Sequence, residues 1–87
     1  MSKKNYPRHI APSDEFLSRL EREKDPSIEV SDMMFCERAK NAFGGSFFVR
    51  MNGKRWRQEV IISKPLPCLE AIEDYVLNAL KPGGQLA

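Results

Sequence analysis

Asn52-Gly53 separates two β-rich runs, Ser46-Phe47-Phe48-Val49-Arg50-Met51 and Lys54-Arg55-Trp56-Arg57-Gln58-Glu59-Val60-Ile61-Ile62. Both turn residues tolerate positive φ, so the dipeptide predicts a two-residue type I′ hairpin. Such a turn sets Met51 opposite Lys54, Arg50 opposite Arg55, Val49 opposite Trp56 and Phe48 opposite Arg57. One face then collects Phe47, Val49, Met51, Trp56, Val60 and Ile62 with Lys54 and Gln58; the other collects Phe48, Arg50, Arg55, Arg57, Glu59 and Ile61. A three-residue turn with a glycine bulge would split the apolar set between faces, so the segregation selects the shorter turn. Trp56 is accordingly expected in the core, and Met33 and Met34 in the core or an interface.

An apolar sheet face needs a cover. Leu69, Ile72, Val76, Ala79 and Leu80 form one stripe of a final helix that opens near Pro67 and ends at Pro82-Gly83-Gly84. Ser13 can cap a helix over 14–24, with Asp14 and Glu15 in its first turn and Phe16, Leu17 and Leu20 at helical spacing. Ile28-Glu29-Val30 alternates as a short strand. Residues 31–45 fit either a continued strand or a helix; Ser31 as cap, Lys40 in the last turn and Gly44 as terminator favour helix. The expected fold is a two-layer α+β domain, a β-hairpin with a short third strand packed on amphipathic helices in the order α-(β)-α-β-β-α. The 87 residues, 41% hydrophobic and 30% charged, suit one small domain over 13–87. Residues 1–12 hold Lys3, Lys4 and Arg8, two prolines and no acid, and are expected to be a flexible basic leader.

Composition also bears on function class. No apolar run approaches the about 20 residues of a membrane span, and the N-terminus lacks a secretory hydrophobic stretch, so a cytoplasmic protein without a membrane partner is expected. Cys36 and Cys68, assigned to helices, have neither redox nor zinc spacing and are expected as buried reduced thiols. His9, the single histidine, lies in the leader, where nothing would hold a general base. Glu70, Glu73 and Asp74 share a helix face, which is more often solvated than metal-binding. Gly44-Gly45 lacks the rest of a phosphate loop. A non-enzymatic protein without cofactor, metal or catalytic residues is the expectation.

Charge is divided along the chain: +3 over 1–12, −3 over 13–30, 0 over 31–45, +4 over 46–64 and −2 over 65–87. The predicted hairpin puts Arg50 opposite Arg55 with Arg57 beside them, and directly opposed like charges weaken a sheet by roughly 0.2–1 kcal/mol per pair. An anionic partner reverses that penalty, because guanidinium forks bind phosphate bidentately. Arg50, Arg55, Arg57 and Lys54, with Phe48 as a stacking group and Lys3, Lys4 and Arg8 along the backbone, are therefore the candidate nucleic-acid contacts. A narrow β-ribbon fits the major groove, which favours DNA over RNA. The alternative is a protein-interaction module, an inhibitor or accessory factor that docks on an acidic protein surface. A homodimer through the final helix or a free hairpin edge belongs with that alternative.

The hairpin around Asn52-Gly53-Lys54-Arg55, the run Val60-Ile61-Ile62 and the closing amphipathic helix resemble the sheet-plus-helix arm-binding domains of tyrosine integrases over about half the chain. With residues 28–36 as a strand, the order αβββα would be similar to a double-stranded-RNA-binding domain. That family's lysine-rich start to the last helix is replaced here by Pro65-Leu66-Pro67-Cys68.

Overall fold

The computed structural model describes residues 6–84. The chain forms β1 (Arg8–Ile10), α1 (Asp14–Glu23), β2 (Ile28–Ala39), β3 (Ala42–Met51), β4 (Gln58–Leu66) and α2 (Leu69–Leu80). The strands make one antiparallel sheet in the order β1-β2-β3-β4. Side chains of both helices join one core with the sheet, giving the expected two-layer α+β domain. Phe16 and Leu20 of α1 and Ile72, Val76, Leu77 and Leu80 of α2 meet Ile28, Met33, Phe35, Phe47, Val49, Val60 and Ile62 of the sheet. The rings of Phe16 and Phe35 lie 5.8 Å apart at 58°, a tilted aromatic pair between layers.

The start of α1 and the end of α2 follow from their sequences. Ser13 Oγ accepts a hydrogen bond from the Phe16 amide at 3.1 Å, capping α1. Past α2, the Gly84 amide bonds the Lys81 carbonyl around Gly83, whose φ is 82°. The ends of the helices are tied by the Asp25 amide, which donates to the Leu80 carbonyl at 2.8 Å.

Residues 31–45 are not a helix. They are most of β2, a tight turn at Lys40-Asn41 and the start of β3. The cause is one inserted residue. Pairing runs Val30↔Val49 and Ser31↔Phe48, then resumes at Met34↔Ser46, leaving a bulge at Asp32 with φ 54°. The bulge moves the core-facing positions from Ile28 to Met33, Phe35 and Glu37, which breaks the alternation by which a strand is recognised. Gly44, expected to end a helix, lies inside β3 instead. The bend at the turn falls to Asn41, with φ 58°.

The leader is also partly structured: β1 pairs Arg8↔Glu37, His9↔Cys36 and Ile10↔Phe35. Arg8 holds the nearly buried Glu37 through two hydrogen bonds of 2.8 and 3.1 Å, and Ile10 packs on the core. His9 is exposed on this strand. Lys3 and Lys4 lie outside the described residues. Neither cysteine is a buried helical thiol: Cys36 is half-buried on β2, and Cys68 is the exposed residue preceding α2.

The sheet face away from the helices contains a strap. Arg38 Nη1 donates to the Ile62 carbonyl at 3.0 Å, reaching from β2 across β3 to β4. Gly44 makes the crossing possible, since a Cβ there would lie 2.1 Å from Arg38 Nη1 and 2.8 Å from the Ile62 oxygen. Gly44→Ala should cost about 1–3 kcal/mol by urea denaturation. In an Arg38→Ala background the penalty should shrink but persist, because the Ile62 oxygen remains in the way.

A second prediction concerns pH. The Asp25 carboxyl is held below its usual range by hydrogen bonds from the Ser27 amide at 2.9 Å and the Ser27 hydroxyl at 2.7 Å. Its stabilising contribution is complete above the unfolded pKa of about 3.9 and is lost as pH falls through the lower folded value. Ser27→Ala should raise the Asp25 pKa toward the ordinary range in an NMR titration. It should lower stability at neutral pH while leaving this contribution at the acid extreme unchanged.

Candidate nucleic-acid interface

The turn at Asn52-Gly53 forms, but not as type I′. The Lys54 amide bonds the Met51 carbonyl at 2.9 Å, Gly53 has φ 81°, and Asn52 keeps a negative φ, which is the type II pattern. A type II turn does not match the twist of paired strands, so the chain leaves β3 without closing a tight hairpin. Met51 pairs with Ile28, Arg50 pairs with Glu29, and the Asn52 amide donates to the Ser27 carbonyl at 2.7 Å. The β3–β4 ladder therefore starts at Val49↔Gln58, two residues out of the expected register, and residues 50–57 are unpaired toward β4.

A shift of two preserves facing, so Phe47, Val49, Val60 and Ile62 are buried as expected. It does not preserve the arginine cluster. Arg50 is paired with Glu29 at 2.8 Å rather than placed against Arg55. An opposed ion pair is favourable by roughly the amount that two opposed arginines would lose. Arg57 Nη1 reaches Asp32 at 2.7 Å and Ser31 Oγ at 3.3 Å, and its guanidinium lies 4.6 Å over the Phe48 ring. Phe48 is covered by that contact and does not stand free as a stacking group. Arg8 pairs with Glu37 on the far edge strand, near the Lys40-Asn41 turn and away from the 52–57 loop, so it does not join the others.

What the structure does bring together is Lys54, Arg55 and Trp56. Trp56 is 78% exposed, not in the core. Its parity matches the buried face, but it lies beyond the last β3–β4 pair, outside the helix-covered core. The Arg55 guanidinium lies 5.6 Å from the indole centroid. Among the described residues, Lys54 and Arg55 have no acidic partner within ion-pair distance, and the sequence from 50 to 58 contains no acid. Beside the indole is a depression of about 320 Å³ lined by Val49, Met51, Lys54, Arg55, Trp56, Arg57 and Gln58. Facing alone could not identify Trp56 as exposed; the run of cations around it was the available signal.

Other candidates are placed elsewhere. The α2 acids lie toward Arg19 of α1, which is held above its usual pKa by its hydrogen bond to Glu23, with Asp74 and Glu73 adding their charge. Among the described residues, no three His, Cys, Asp or Glu side chains are grouped to hold a metal ion. No described helix is long and apolar enough to cross a membrane. The order α1-β2-β3-β4-α2 is the αβββα arrangement, with β1 added at the edge, and α2 opens with Glu70 rather than lysines.

Comparison with family models, curated proteins and solved structures finds no match.

Trp56→Ala should change folding stability by no more than about 0.5 kcal/mol, against the several kcal/mol lost on truncating a core tryptophan. Trp56 is the only tryptophan, so emission of the native protein should barely shift on denaturation.

Proposed function

We propose that this protein is a small non-enzymatic nucleic-acid-binding protein whose contact surface is the β3–β4 loop. The observation that carries the proposal is an exposed tryptophan among Lys54, Arg55 and Arg57 in a stretch without acids. Exposed cations supply phosphate attraction through counterion release, and an exposed aromatic supplies a surface for bases. Arg50 and Arg57 are partly neutralised by Glu29 and Asp32, so their role is to brace the loop, and Lys54 and Arg55 are the principal phosphate contacts. The paired part of the β3–β4 ribbon is embedded in a four-stranded sheet, which argues against groove entry as a free ribbon.

A second reading, a protein-interaction module, draws on a different surface. Met34 and Ile61, 40% and 58% exposed, flank a shallow depression with Cys36 on the face opposite the helices.

Labelled oligonucleotides should bind at about 50 mM salt and lose affinity steeply by about 200 mM. Lys54→Ala and Arg55→Ala together should flatten the log–log salt slope by about two, and Arg50→Ala should flatten it less. Absence of binding to any nucleic acid at about 50 mM salt would overturn the proposal and leave the protein-interaction reading.

A further inference from the structure

We infer that the loop takes single-stranded nucleic acid, with one unpaired base seated against Trp56 and the neighbouring phosphates on Lys54 and Arg55. This inference rests on the nucleic-acid reading and specifies its substrate class. In a duplex the base faces are hidden by stacking, so an exposed indole gains little there; in a single strand each base offers a face. Trp56 is 78% exposed, and its contact with Arg55 is of the kind that also lets a guanidinium lie along a stacked base.

The space beside the indole supports the same occupant. At about 320 Å³ it is at the small end of single-ligand sites, roughly 300–1,000 Å³, and too small for an element of duplex or a partner helix. Val49 and Met51 give it an apolar wall, and Lys54 and Arg55 give it uncompensated positive charge. An apolar slot at a cationic margin complements a planar ring joined to an anion, which is the chemistry of a nucleotide within a strand. The loop is also braced before any ligand arrives. Arg57 is held by Asp32 and Ser31 and packs over Phe48, and the Asn52 amide is held by Ser27. Less ordering is therefore left for binding to accomplish.

The test uses the native fluorescence of the full chain, in which Trp56 is the sole indole. The probes are a thymidine 12-mer, a 12-base-pair duplex, inorganic polyphosphate and poly-glutamate, with binding followed in parallel by anisotropy of labelled probes. The expected result is saturable quenching by the 12-mer, with weaker binding and little quenching by the duplex and polyphosphate. Trp56→Ala should weaken binding of the 12-mer roughly 5- to 150-fold, Trp56→Phe should restore part of it, and neither should alter polyphosphate affinity. Thermal melts of both variants verify folding. Binding of the duplex at least as tightly as the 12-mer, or 12-mer binding unaffected by Trp56→Ala, overturns this inference while the nucleic-acid reading stands. Binding of poly-glutamate in preference to both nucleic acids, or of neither nucleic acid, overturns both.

Discussion

The single extra residue in β2 organises this molecule. At Asp32 the backbone takes a left-handed conformation with φ 54°, the pleat changes sides, and Met33 and Phe35 turn toward the helices. Without that reversal, the strand following Ile28 would present Met34 and Cys36 to the core and send Phe35 to solvent. The same residue carries the carboxylate that receives Arg57 from the end of the 50–57 segment. The deformation that corrects the core thus also creates an anchoring point for the segment that displays Trp56. Aspartate is among the few non-glycine residues that visit this backbone region readily, and its charge completes the contact.

Six cations on β1, β2, β3 and the β3–β4 loop fall into two groups with different physical roles. Arg8, Arg38, Arg50 and Arg57 serve the fold: they reach Glu37, the Ile62 carbonyl, Glu29 and Asp32 in turn. The pairs of Arg50 with Glu29 and Arg57 with Asp32 join exposed or half-exposed groups, of the kind that contributes only about 0–1 kcal/mol each, while Arg8 meets a nearly buried Glu37. Their value is positional, since they tie β1 to β2, β2 to β3, and the segment before β4 back to β2. Lys54 and Arg55 have no such employment among the described residues and lie next to the most exposed of the large apolar side chains.

Much of this fold was legible from residue spacing because the relevant signals are local. The Ser13 cap, the stripe from Leu69 to Leu80 and the alternation of Phe47, Val49, Val60 and Ile62 depend only on helix or strand periodicity. The identity of residues 31–45 is not legible, because the bulge breaks the alternation that marks a strand while Ser31, Lys40 and Gly44 each fit a helix locally. The hairpin register is not legible from the dipeptide alone: Asn52-Gly53 forms a type II turn, whose twist does not suit paired strands, and the ladder resumes only at Val49↔Gln58. Trp56 was misplaced because parity assigns a side of the sheet but not the point at which the covering layer ends. The positive segment is visible, while its division into braced and free cations depends on acids of β2 that lie 21 and 25 residues from Arg50 and Arg57 in sequence.

The edge strand β1 is the part of the sheet most easily opened. It is three residues long and joins α1 through residues 11–13; among the described residues it is held by three register pairs, the contact between Arg8 and Glu37 and the packing of Ile10. Short peripheral segments of this kind open at a free energy well below that of global unfolding. Detachment would bare the β2 backbone from Phe35 to Glu37 and strip Glu37 of its guanidinium partner.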